Sequence, residues 1–409
     1  MCRLYYLCLP LLLLTCNRGA RPYDFPQPVD TTDRPIELQG KRTYTFADST
    51  LLFDNDFPAA RLNGVTRFND STYRLTIEPE NEPINASPWY AVRIRSTEPR
   101  NVTLEFSYPK GTRHRYYPKV SYDRRQWMPV DSSQLGYTAD SHRITVLLPL
   151  RAGVTYLAGQ EIVSTQDVAK WTQSFRSPYV RHDVAGRSRL GRPIPVMRMS
   201  AGGRYGHKPT IVLFSRQHPP EVTGYLALQS FVETILSHPR REEFLRRYQL
   251  LVFPLLNPDG VDLGHWRHTA GGIDSNRDWA YYRQPEARQV ADYVVRKARK
   301  NETEVVLGMD FHSTYHDVYY TADKASPPSR LPGFTDAWLR GIERRLGGGF
   351  RVNEDPGPIG RPTSAGWFRT QFNAEGITYE IGDNTDRDFV EKKGRASAEA
   401  MIELLLDVY

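Results

Sequence analysis

Residues 210–225, TIVLFSRQHPPEVTGY, decide how this chain is read. The run Ile211 to Phe214 is apolar without alternation. A strand of that kind is buried on both faces, as in a parallel sheet covered by helices. The following stretch, GYLALQSFVETILSH, puts Leu226, Phe231, Ile235 and Leu236 on one helical face. Between strand and helix lie His218, Pro219, Pro220 and Glu221. Proline locks φ and restricts the residue before it. The turn is therefore stiff, and it can aim His218 and Glu221 at one point. A lone His-x-x-Glu arises often by chance, so its meaning depends on the rest of the chain.

Working outward, strand and helix patterns alternate from Asp167 to the end. TQDVAKWTQSF reads as a helix, IPVMRMS as a strand and YQLLVFPLL as a buried strand. PEARQVADYVVRKARK (helix), EVVLGMDFHS (strand), PGFTDAWLRGIERRL (helix), GITYEIG (strand) and GRASAEAMIELLLDV (helix) follow. The expected fold class for 167–409 is α/β, with a mainly parallel mixed sheet flanked by helices on both faces. Ligands of such sheets bind beyond the carboxyl ends of the strands. Residues 42–163 read differently. Val102, Leu104 and Phe106 alternate with Thr103 and Glu105, and Tyr90, Val92 and Ile94 alternate with Ala91, Arg93 and Arg95. Short alternating strands between Pro, Gly, Asp and Asn predict a small antiparallel β-sandwich.

Residues 17–41 are proline-rich and polar without periodicity, and are expected to form a tether. Before them, Arg3 precedes an apolar stretch, Leu4 to Leu14, too short to span a bilayer and suited to a signal peptide over 1–16. All three cysteines, Cys2, Cys8 and Cys16, lie there, so the processed chain has no intrachain disulfide. The sequence LLTC ending at Cys16 resembles a bacterial lipoprotein box, with Thr15 in place of the usual small residue. That resemblance implies export, a lipid anchor at Cys16 and a cell-envelope location. An ordinary secretory signal cut nearby is the alternative. The formal charge of +7 comes with no basic run, which excludes a nucleic-acid footprint and leaves a lipid as the expected membrane contact.

Three places near strand ends carry chemistry. His218 and Glu221 follow TIVLFS, His312 ends VVLGMDFH, and Glu380 lies in GITYEIG. Two imidazoles and one carboxylate form a common catalytic zinc set, and a carboxylate off the metal can serve as base. With RQHPPE, NPDGVDLGHWRHTAGGIDSNRDW, DFHS and ITYEIGD in this order, the chain resembles the M14 zinc metallocarboxypeptidases. It is most similar to the branch with an N-terminal β-domain, the cytosolic carboxypeptidases. The resemblance implies one zinc ion held by His218, Glu221 and His312. It implies Glu380 as general base, Arg267 as polariser of the scissile carbonyl, and Asn276 and Arg277 as the grip on a terminal carboxylate. It implies that Asp274 hydrogen-bonds to His218.

There are departures. Pro220 stands where glycine is usual, and DPGPIGRPTSAGWF lacks the lid tyrosine found in many members. Arg361 and Arg369, nearby, either favour an acidic terminal residue or face solvent. His316 is expected near the site without ligating, and His265 and His268 to shape the pocket. The resulting expectation is a zinc peptidase, a hydrolase removing C-terminal residues from peptides with a free carboxylate. The alternatives are a zinc amidase acting on peptidoglycan peptides or N-acyl amino acids, and an inactive surface-tethered binding protein. The lipid anchor has its own test. Cys16→Ser should release the protein from the membrane fraction and remove metabolic lipid label, whereas retention of the variant on membranes would count against the anchor.

Overall fold

The computed structural model describes residues 19–137, 144–202 and 207–409. The expected signal segment and Cys16 lie outside the described residues. No described helix is long and apolar enough to cross a membrane.

Eleven described strands build the first half: β1 (Thr43–Phe46), β2 (Leu51–Asp54), β3 (Gly64–Arg67), β4 (Thr72–Thr76), β5 (Ala91–Ser96), β6 (Arg100–Ser107), β7 (Lys119–Ser121), β8 (Met128–Pro129), β9 (Leu135–Tyr137), β10 (Ile144–Leu150) and β11 (Gly153–Ala158). They form two sheets, ordered β1-β2-β5-β11-β7-β8 and β3-β4-β6-β10-β9. The inward residues of both, such as Phe53 and Ile94 from one and Leu75 and Leu104 from the other, share one core. The period-2 alternation in β6 appears as buried Val102, Leu104 and Phe106 against half-buried Thr103 and Glu105. One pairing departs from the antiparallel expectation, since β4 runs parallel to β6.

The second half has eight strands, β12 (Val180–Arg187), β13 (Pro193–Met199), β14 (Thr210–Ser215), β15 (Gln249–Phe253), β16 (Val305–Thr314), β17 (Val318–Ala322), β18 (Glu354–Gly357) and β19 (Glu375–Gly382). Its helices are α1 (Thr165–Ser174), α2 (Val222–Ser237), α3 (Arg241–Arg247), α4 (Pro258–Leu263), α5 (Pro285–Lys300), α6 (Phe334–Leu346), α7 (Ser364–Phe372) and α8 (Arg387–Asp407). The sheet order is β12-β13-β15-β14-β16-β19-β17-β18. Its centre, β15-β14-β16-β19, is parallel throughout. The flanks bring in antiparallel pairs. The apolar run of β14 serves two cores. Ile211 and Leu213 face the layer containing Phe231, Met401 and Trp338, and Val212 and Phe214 face Val290, Trp279 and Trp367.

Residues 19–41 do not hang free as a tether. They form a strap laid over the body. Phe25 and Thr31 are buried. Thr31 Oγ1 donates to Asp278 Oδ1 at 2.5 Å. The backbone N–H groups of Gln27, Arg34 and Glu37 donate to the carbonyls of Gly360, Gly271 and Glu80. Proline-rich extended chain keeps its remaining N–H and C=O groups available for such irregular pairing, which leaves no periodic trace in sequence.

Helix α2 begins directly against β16. A Cβ on Gly224 would lie 2.4 Å from the carbonyl oxygen of His312, where only a hydrogen fits. Gly224→Ala should force the two elements apart and cost about 1–3 kcal/mol. Calorimetry should read this as a Tm lower by several degrees. An unchanged Tm would show that the contact yields easily.

Candidate active site

The carboxyl end of β14 leads into the stiff turn, and Glu221 occupies the N-cap position of α2. Arg216, at φ 55°, is fully buried behind the turn. Its Nη2 donates to the carbonyls of Pro219 (2.7 Å) and Val163 (3.2 Å). His312 comes from β16, which lies beside β14 in the sheet. His218 Nδ1 lies 2.8 Å from Glu221 Oε1, and His312 Nδ1 lies 2.6 Å from Glu221 Oε2. All three residues are buried, and their ligand atoms fall within 4.8 Å of one another. The opposite ring nitrogens are also engaged. His218 Nε2 lies 2.8 Å from Asp274 Oδ1, and His312 Nε2 lies 2.7 Å from Asp310 Oδ2. Each carboxylate takes the Nε2–H and leaves Nδ1 as a lone-pair donor. This donor set fits one zinc ion. Burial pushes the Glu221 carboxyl up, but the two imidazoles outweigh it and hold it well below the usual range.

Asp274 links the ligands to the expected substrate groups. Its Oδ1 faces His218, and its Oδ2 accepts from Arg267 Nε at 2.8 Å. Asn276 and Arg277 lie on the short turn that Asp274 caps. Asn276 Oδ1 accepts from the N–H of Ser364, and its Nδ2 lies 3.3 Å from His312 Nε2. Arg277 Nη1 donates to the carbonyl of Asn276 at 2.8 Å. Glu380, on β19, stands level with His312 in the parallel pairing. Its Oε2 is buried with no hydrogen-bond partner. Burial, and then the Glu221 carboxylate, push the Glu380 carboxyl up from its ordinary value.

One cavity of about 640 Å³ is lined by His218, Glu221, Arg267, Asn276, Arg277, His312 and Glu380. Asp274 stands behind this lining. Arg361 and Arg369 both border the cavity but differ in state. Arg369 is buried and paired with Glu375 at 3.3 Å. Arg361 spends its Nε on Gln27 of the strap, and its Nη groups have no partner among the described residues. His316 is exposed and borders no part of the cavity. His265 and His268 are buried behind the Arg267 loop and do not touch the cavity.

Several residues of the site carry no sequence signal strong enough to find them. Asp310 sits two residues before His312, inside an apolar strand. Arg115 comes from the sandwich. Its Nε donates to Asp383 Oδ2 at 2.7 Å and its Nη2 to the carbonyl of Ser313 at 3.0 Å, and it borders the cavity. Tyr320, on β17 opposite Thr378, brings a phenol to the cavity from outside DPGPIGRPTSAGWF, the stretch that lacks a lid tyrosine.

Residues 168–344 match the family model for zinc carboxypeptidases, Peptidase_M14. Human cytosolic carboxypeptidase 2 is 24% identical over 311 residues, covering 68% of this chain. The chain thus spans about a third (34%) of that relative's length. A metallo-carboxypeptidase from Burkholderia cenocepacia superposes with a TM-score of 0.71 at 18% identity, covering 87% of this chain and 99% of that one. A Pseudomonas aeruginosa metallo-carboxypeptidase bound to (2-guanidinoethylmercapto)succinic acid gives 0.69 at 19%, covering 86% and 98%. These likenesses show the fold, including the strands that precede the α/β half.

Asp310 offers a test of how the ligands are held. Asp310→Asn keeps the shape but removes the charged acceptor for His312. Zinc affinity, measured by chelator competition, should fall roughly 10- to 100-fold. An unchanged affinity would mean that Asp310 does not set the aim of His312.

Proposed function

We propose that this chain, which carries an M14 zinc carboxypeptidase domain, is an exported hydrolase that removes C-terminal residues from peptides. The observation carrying this reading is one cavity joining three kinds of group. These are a convergent ligand set, an unpartnered buried carboxylate and arginines with donors to spare.

His218, Glu221 and His312 would hold a zinc ion, which when bound would supply Lewis acidity to lower the pKa of water and polarise a carbonyl. Glu380 takes the proton from the attacking water and returns it to the leaving amine. Its upward-shifted carboxyl suits both halves of that task. Arg267, aimed by Asp274, donates to the oxygen on which negative charge develops. Arg277 and Asn276 take the terminal carboxylate, since the guanidinium fork matches it in charge and shape. Water gives OH to the new carboxyl group and H to the departing amine, and the enzyme ends as it began.

The state of Arg361 favours an acidic residue at the cleaved end. Its free Nη groups stand close enough to Arg277 for the two charges to interact, so a second carboxylate on the same terminal residue has a partner. We further propose a cell-envelope location through a lipid on Cys16, which would make peptides of the envelope natural substrates.

A panel of peptides varied at the C-terminus, followed by mass spectrometry with and without chelator, tests this reading. Stepwise loss of terminal residues, fastest after Glu or Asp and abolished by chelation, is expected. Arg361→Gln should remove the acidic preference while leaving neutral termini cleaved. Glu380→Gln should keep one zinc per chain and lose roughly 10²- to 10⁴-fold in kcat. Full turnover in that variant would remove Glu380 as base. Bound zinc with no cleavage of any peptide would favour an amidase acting on other amides. Absence of both would favour a binding protein.

A further inference from the structure

The loop carrying Arg267 leaves the α/β half and docks on the β-sandwich. Trp266 is fully buried and belongs to the sandwich core, its ring edge-on to Tyr108 with centroids 6.3 Å apart. Glu80, also fully buried, sits at the end of the sandwich nearest this loop. Its carboxylate accepts three consecutive backbone N–H groups. These come from Trp266 at 2.7 Å, Arg267 at 3.0 Å and His268 at 2.6 Å. Asn81 extends the contact, with Oδ1 2.7 Å from His268 Nδ1 and Nδ2 donating to the carbonyl of Gly272. Gly264, at φ 67°, lets the loop press against the sandwich backbone, because a Cβ there would meet the carbonyl oxygen of Ala60 at 2.1 Å. In the catalytic half, among the described residues, the Arg267 side chain is held by the bond from its Nε to Asp274 Oδ2 at 2.8 Å.

We propose that Glu80, although it lies in the sandwich, is a positioning residue for Arg267. Its carboxylate fixes the backbone of residues 266–268 so that the guanidinium meets the developing charge without rearranging. Every N–H of that tripeptide goes to one carboxylate, so the backbone beneath Arg267 cannot shift without breaking three charge-assisted bonds together. Preorganised donors stabilise a transition state because they need not move when charge appears. Burial would raise the Glu80 carboxyl, but His265, then Arg61 and the amide of His268, hold it below its ordinary value. Three backbone N–H donors converging on its two oxygens favour the ionised form of this acceptor. This inference rests on Arg267 acting at the oxyanion. It makes the sandwich part of the catalytic apparatus, not only a neighbour of it.

The test uses the full chain carrying Glu80→Gln or Asn81→Ala, each alone and combined with Arg267→Ala. Hydrogen exchange followed by mass spectrometry reads the loop directly. In Glu80→Gln, the amides of 266–268 should exchange roughly tenfold faster or more while those of β16 stay protected. Kinetics read the consequence. Glu80→Gln should lower kcat roughly 10- to 100-fold with little change in KM, and should add almost nothing once Arg267 is alanine. Asn81→Ala should show a smaller loss of the same kind, and it decides the matter by the same criteria if Glu80→Gln fails to fold. Equal losses in both Arg267 backgrounds, or unchanged exchange and kcat, would overturn the proposal. Faster exchange in a protein whose parent cleaves no peptide would instead leave Glu80 as the holder of the loop and sink the reading of the site.

Discussion

The whole arrangement depends on negative charge gathered where water is scarce. Glu221, Asp274, Asp310 and Glu380 surround two imidazoles at the carboxyl ends of β14, β16 and β19. Buried carboxylates cost several kcal/mol each unless they are paired. Asp274 is answered by Arg267, and Glu221 sits between both histidines. Glu380 is left with a bare oxygen. The cluster therefore calls for a cation at the point where the Nδ1 atoms and the Glu221 oxygens converge. The two further carboxylates behind the imidazoles aim those rings.

Much of this was legible in sequence where the physics is local. The unbroken apolar run of β14 must be buried on both faces, and it proved to feed two separate cores. His218 and Glu221 could be read because a rigid turn joins strand to helix within a few residues. The reading failed where partners come from far along the chain. Arg115 lies 268 residues from Asp383, and Glu80 lies 187 residues from Arg267, so no spacing rule connects them. β12 leaves no clear signal because it is a half-exposed edge of mixed character, and β17 because it is short. The strap reads as a tether in sequence because extended chain that pairs irregularly has the composition of a linker.

The cavity wall draws on both halves of the chain. Arg115 from the sandwich, Gln27 from the strap and Tyr320 from β17 all border a space whose floor is the parallel sheet. The Arg115–Asp383 pair is nearly dry on both sides, with side chains 7% and 1% exposed. Losing either partner would strand the other charge. Such a contact is costly to break and costly to form wrongly, so it fixes how the sandwich sits on the strand ends.

The strap has a further geometric consequence. Ala20 is already buried, and its N–H is bonded to Asp292. Only four residue steps separate it from Cys16. Extended chain covers about 3.3–3.6 Å per residue, so the lipid proposed at Cys16 would sit within about 15 Å of the folded body. An anchored molecule would ride close to the bilayer and would not reach far out on a flexible arm. Its working radius would then be set by lateral diffusion in the membrane plane, and chain ends held near that surface would meet the cavity far more often than the same ends in bulk.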